Sequence, residues 1–184
     1  MPITEATYRR VALEDPEGHW ELAGGRLRSK PGMTASHAYA LHALSRHLRA
    51  QLDPRVYTLR VNTGRLRISA GTYYIPDLFV IARGSGRRTF EEIPERLEAY
   101  DEPQPLVVEV WSPLTGDYDV EEKLWEYQRR RDQEIWRIHP YQRTLTVWRL
   151  RPDGSYTELL YRGGAVQPSA LPNVTIELNT LFRP

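Results

Sequence analysis

Apolar residues along this chain recur with two different periods, and those periods divide it into strands and helices. Residues 19–23 and 26–28 flank Gly24-Gly25, whose freedom to take positive φ suits a tight turn, so a β-hairpin is expected there. Over residues 35–51, Leu41, Leu44 and Leu48, with Leu52 just beyond, fall on one helical face; the helix is expected to be capped by Thr34 or Ser36 and stopped by Asp53-Pro54. His37 lies four residues before Leu41, on the same inward face. Strands are expected at 55–62, 66–69 and 77–82, and a short helix within 90–100. Residues 105–111 read as a strand buried on both faces, because the apolar run is nearly continuous. Residues 117–131 form a helix with an acidic start and a basic end, the polarity its dipole favours. Further strands are expected at 134–139, 144–150, 156–161 and about 174–178. This order predicts an α/β (α+β) fold with a central mixed β-sheet flanked by helices. The expected organisation is a single domain over 1–184, with an N-terminal β-hairpin and a C-terminal β extension.

Composition narrows the setting. The 184 residues, 40% hydrophobic and 27% charged, match an ordinary soluble globular chain. No apolar run approaches the ~18 residues of a membrane-spanning helix, and the start carries no export signal, so no membrane association is expected. Cysteine is absent, which excludes disulfides, thiolate metal sites and a cysteine nucleophile and fits a cytoplasmic location. With a net charge of +1, contact with a phosphate backbone has to come from local patches. Arg26/Arg28, Arg87/Arg88 and Arg129-Arg130-Arg131 are the candidates, against the plainer reading of solvated surface runs. Of 25 basic residues only Lys30 and Lys123 are lysines. A lysine kept amid such arginine bias points to a need for a compact ammonium. Lys30, beside Pro31, reads as an ordinary loop residue; Lys123 does not.

Three residues suggest chemistry. Glu109 sits among Val107, Val108, Val110 and Trp111, where an ionised carboxylate is costly unless a cation or several donors meet it; a buried salt bridge or a sheet-edge position would also explain it. Asp77 opens a hydrophobic strand after Ile75-Pro76, where a turn-capping role is the plain alternative. Carboxylates at the ends of two adjacent strands could converge on one hard divalent ion. Lys123 shares a helix face with Asp119 and Tyr127. It is either half of a surface ion pair or, because the turn at 112–116 brings its helix back beside the Glu109 strand, a partner of that acid. Tyr127 reads as a packing residue. No Gly-x-Ser-x-Gly elbow or His-x-x-x-His pair supports a metal-independent hydrolase.

In order along the chain, Trp20-Glu21-Leu22-Ala23-Gly24-Gly25, His37, Ile75-Pro76-Asp77, Val107-Val108-Glu109-Val110-Trp111-Ser112-Pro113 with Thr115, the spaced Asp119, Lys123 and Tyr127, and Glu134-Ile135-Trp136 before Pro140 resemble the Uma2 family of endonucleases in the PD-(D/E)XK nuclease superfamily. The resemblance spans about residues 20–150. It implies a restriction endonuclease-like core and a metal-dependent endonuclease acting on nucleic acid, DNA first. It also implies Mg²⁺, with Mn²⁺ as a substitute, held by Asp77, Glu109 and the main-chain carbonyl of Val110. Lys123 would orient or help deprotonate water, and His37 would bind phosphate or orient Glu109, a core histidine bonded to backbone being the alternative. The chain departs from the pattern twice. Trp111 stands where the superfamily lysine is expected, so the resemblance implies that Lys123 supplies the ammonium, and His139 replaces a usual aspartate. The competing expectation is a non-catalytic binding or assembly module in which Glu109 and Lys123 form a structural ion pair. Self-association as a homo-oligomer is compatible with either.

Overall fold

The computed structural model describes residues 2–83, 96–114 and 116–183, with the backbone alone for 116–120. The hairpin forms as expected: β1 (Trp20–Ala23) pairs with β2 (Arg26–Ser29) across Gly24 and Gly25, both at positive φ. A Cβ at Gly25 would stand 2.6 Å from Pro2 Cβ, so this turn needs both the glycine backbone and the absence of a side chain. The long helix α2 (Ala35–Gln51) has the predicted bounds, and Thr34 Oγ1 accepts from His37 N. Its Leu41, Leu44 and Leu48 are fully buried, each worth roughly 1.5–3 kcal/mol of transfer free energy.

After α2 come β3 (Tyr57–Val61), β4 (Arg65–Ser69), β5 (Thr72–Tyr74), β6 (Leu78–Ala82), β7 (Ala99–Tyr100), β8 (Leu106–Val110), α3 (Gly116–Arg130), β9 (Glu134–His139), β10 (Thr144–Leu150) and β11 (Tyr156–Tyr161). A small pair, β12 (Ala165–Val166) and β13 (Ile176–Glu177), closes the C-terminal region. The central sheet is mixed, ordered β11-β10-β9-β8-β6-β3, with β8 and β9 parallel and the other pairs antiparallel. Its two faces alternate along each strand. Leu78, Val80, Val108 and Val110 pack with α2 and the C-terminal residues Leu171, Val174 and Ile176. Phe79, Ile81 and Val107 pack with Tyr127 of α3.

Three features differ from expectation. A helix α1 (Glu5–Glu14), capped by Thr4, precedes the hairpin. It buries only Tyr8 and Ala12, too few positions to leave a periodic signal. A second, five-stranded sheet, β2-β1-β5-β4-β7, stands beside the first; β5 is three residues long and fell below the length a pattern can show. The last strand is two residues rather than the expected run over 174–178. The short helix expected within 90–100 lies for its greater part outside the described residues, and residues 99–100 are strand. Among the described residues no helix is long and apolar enough to cross a membrane.

Candidate functional site

The link from β5 to β6, Ile75-Pro76-Asp77, carries the chain from the second sheet to the central one, and the candidate site forms at this seam. Antiparallel pairing sets Leu78 opposite Val108 and Phe79 opposite Val107. Extending that register one step, Asp77, just ahead of β6, falls beside Glu109 of β8 on the same face, and its Oδ2 accepts from the next residue's N–H, Val110. Both acids are buried, at 2% and 7% exposure. The expected convergence of two acids distant in sequence is therefore a consequence of sheet register.

Their surroundings differ. Asp77 Oδ2 accepts from Val110 N at 2.7 Å. Oδ1 lies 2.7 Å from Lys30 Nζ and 3.3 Å from His37 Nε2, yet among the described residues it receives no well-directed hydrogen bond, and neither ring nitrogen of the buried His37 makes one. Burial works to raise the Asp77 carboxyl, but Lys30 first and then His37 outweigh it, and the group lies well below the usual carboxylate range. Glu109 Oε1 accepts from Tyr127 Oη at 2.7 Å and stands 3.7 Å from Lys123 Nζ. Its Oε2 has no hydrogen-bond partner among the described residues. Burial raises the Glu109 carboxyl; Lys123 opposes this and the charge of Asp77 adds to it, and the group is pushed up to about 7. Tyr127, read from sequence as packing, packs and also donates. Its phenol is held well above its ordinary range by burial and by Glu109, so it stays a donor.

Two site residues escaped the sequence reading. Glu21 of β1 is 4% exposed, accepts from Ile75 N at 2.7 Å and takes a 3.0 Å hydrogen bond from Lys123 Nζ. Among the described residues Lys123 thus stands between the acids Glu21 and Glu109, with Glu21 the nearer. Lys30, expected to be an ordinary loop residue, instead donates to Asn62 Oδ1 and Ile75 O and faces Asp77. Both lysines stand isolated amid the arginine bias, and that composition is the signal that also marks Lys30.

Two neighbouring carboxylates, each with one oxygen that no directed hydrogen bond occupies, offer the donor chemistry of a hard divalent cation. Among the described residues no group of three or more His, Cys, Asp or Glu could hold a metal, so further ligands would be main-chain carbonyl or water. Of the arginine patches, Arg130 is withdrawn from any surface role: its side chain is 4% exposed and tied to Asp132, Tyr100 O and Glu102 O. Arg129 pairs with Glu126 and lies over the Trp125 ring, and Arg28 lies 3.4 Å from Glu122. Arg87, Arg88, Thr115 and the side chain of Asp119 lie outside the described residues. His139, at the departure from the usual aspartate, stacks on Trp111 at 4.3 Å.

Comparison with known proteins bears on this arrangement. The Uma2 family, described as "Putative restriction endonuclease", matches residues 6–179. A solved structure described as "a putative nuclease belonging to DUF820 from Anabaena variabilis ATCC 29413" superposes with a TM-score of 0.78, covering 98% of this chain and 97% of that one at 18% identity. That likeness establishes the fold. Comparison with curated proteins gives no match.

Proposed function

The chain belongs to the Uma2 family, and on that premise we propose that it is a divalent-metal-dependent endonuclease hydrolysing nucleic-acid phosphodiester bonds, DNA in the first instance. We take residues 1–184 as one such domain. The observation that carries the reading is the adjacency of Asp77 and Glu109, with Glu109 Oε1 held by Tyr127 and 3.7 Å from the Lys123 ammonium while its Oε2 has no hydrogen-bond partner among the described residues.

In this reading Asp77, Glu109 and the main-chain carbonyl of Val110 hold Mg²⁺, or Mn²⁺ in its place. When bound, the cation supplies a water of lowered pKa and polarises the scissile phosphate. Asp77 is ready as an anion because Lys30 and the Val110 N–H meet its charge. Glu109 would serve the cation as a carboxylate ligand, and Tyr127 fixes its orientation. Lys123, steadied by Glu21, offsets charge that builds on the phosphate. His37 has ring nitrogens without hydrogen bonds and serves a phosphate oxygen. Because both acids are nearly covered, a phosphodiester reaches them only when neighbouring side chains move.

That same cover favours one competing reading, a non-catalytic module in which Lys123, Glu21 and Glu109 form a buried structural cluster. Cleavage of a panel of single- and double-stranded DNA and RNA with Mg²⁺ or Mn²⁺, by the native chain and by Glu109→Gln, separates the two. The nuclease reading expects cleavage by the native chain and a loss of at least about 10²-fold in the variant, the scale of losing one electrostatic stabiliser. Absence of metal-dependent cleavage on every substrate, with no heat of Mg²⁺ binding, would leave the module. Glu109→Gln suits this test because it removes a charge that burial disfavours. Lys123→Ala would leave two buried carboxylates without their cation and confound activity with folding.

A further inference from the structure

Lys30 belongs to no motif that pointed to the site, yet its ammonium is closely anchored there. Nζ donates to Asn62 Oδ1 and to Ile75 O, both at 2.9 Å, and the side chain is 11% exposed. Asn62 offers its amide from left-handed backbone, φ 50°, and its own N–H bonds Asp77 O at 2.9 Å. Two neutral acceptors therefore hold the ammonium in place without help from the carboxylate. Its 2.7 Å approach to Asp77 Oδ1 is a charge contact, since that oxygen takes no directed hydrogen bond.

We propose that Lys30 is a tethered counter-ion that stands in for a divalent cation beside Asp77 when none is bound, and thereby sets how tightly the site takes one. The inference rests on the Asp77–Glu109 metal reading above. A fixed ammonium against a carboxylate offsets its charge in the metal-free protein and repels an arriving dication. Such a device needs a lysine. The oxygens Asn62 Oδ1, Ile75 O and Asp77 Oδ1 all lie within 2.9 Å of Lys30 Nζ, which suits a compact ammonium and not the planar fork of arginine. Lys30 would be a positioning residue: it acts on the metal through Asp77.

The test is calorimetric titration of Mn²⁺ and of Mg²⁺ into substrate-free native protein, Lys30→Met and Asn62→Gly, with thermal unfolding alongside. Methionine keeps much of the stem and removes the charge. Glycine keeps the left-handed backbone at position 62 and removes one anchor. Lys30→Met is expected to melt lower without metal, to bind Mn²⁺ about tenfold or more tighter, and to gain more in Tm from the ion than the native chain. Asn62→Gly is expected to shift in the same direction by less. A folded Lys30→Met that binds no tighter than the native protein overturns the proposal and makes Lys30 a structural partner of Asp77. If Lys30→Met does not fold, Asn62→Gly decides alone: tighter binding supports the proposal, and equal or weaker binding overturns it. Failure of all three to bind either ion would bring down the metal reading and this inference with it, whereas binding by the native protein without tightening in the variants removes the inference alone.

Discussion

Glu109 and Glu134 are buried glutamates on adjacent strands, and what meets their oxygens separates their roles. Glu134 Oε1 accepts from Trp136 Nε1, while Oε2 accepts from Ser169 N and lies 3.3 Å from Arg149 Nε. Every oxygen is occupied, so this acid ties β9 to its surroundings. Among the described residues Glu109 has one hydrogen-bond donor and one bare oxygen, and its carboxyl is raised from 4.5 to about 7. In the metal-free protein the folded state then binds a proton that the unfolded chain has released between those values. The stability this contributes is full below pH 4.5 and lost as pH rises through 7. Glu109→Gln removes the titration, so from pH 5 to 8 the variant should lose less stability than the native chain, measured as urea midpoints in chelator. Equal slopes would mean that Glu109 is already ionised in the fold. Glu109 was legible in the sequence because an acid inside an apolar run has few explanations. Glu21 was not: its cation lies 102 residues away, and nothing in the local pattern of a hairpin strand marks a residue whose partner comes from the distant helix α3.

Among the elements, α2, β8, β9 and β10 were the most readable, since each carries a long or continuous apolar signal that fixes its type and, to within a residue, its limits. α1 and β5 were hidden for opposite reasons. The first buries two residues of ten, and the second is buried throughout but three residues long. The end of α3 shows how a sequence run misleads. Arg129-Arg130-Arg131 looks like one basic patch, but helical geometry turns successive residues about 100° apart, and Arg130 points inward to a fully buried Asp132. Burial raises the Asp132 carboxyl against the opposing effect of Arg130. Arg130→Ala should cost about 3–5 kcal/mol, the scale of orphaning a buried charge, and leave nucleic-acid affinity unchanged once the variant is folded. Denaturant titration with a filter-binding assay checks both halves, and a stable variant with weakened binding would return Arg130 to the phosphate patch.

At the scale of the molecule, the central mixed sheet could be foreseen and its companion could not, because β1, β2, β4, β5 and β7 are short and join through long-range pairing. The candidate site draws on both sheets. Glu109 comes from the central one and Glu21 from the other, and Asp77 lies in the β5–β6 link that spans the seam. An ion bound to the folded state alone raises the melting temperature by mass action. Mg²⁺ or Mn²⁺ at about 100 times Kd should therefore add about 2.7 kcal/mol to the native chain and nothing to Asp77→Asn/Glu109→Gln in differential scanning calorimetry. Equal shifts in both would put the ion elsewhere. The arginine-dominated surface has a practical side as well. Both lysine amines are folded into the seam, with side chains 11% and 4% exposed. Reagents that acylate lysine side chains therefore find both of them only at the place where substrate is expected to enter, and the rate at which those amines react becomes a direct gauge of how often that entrance opens.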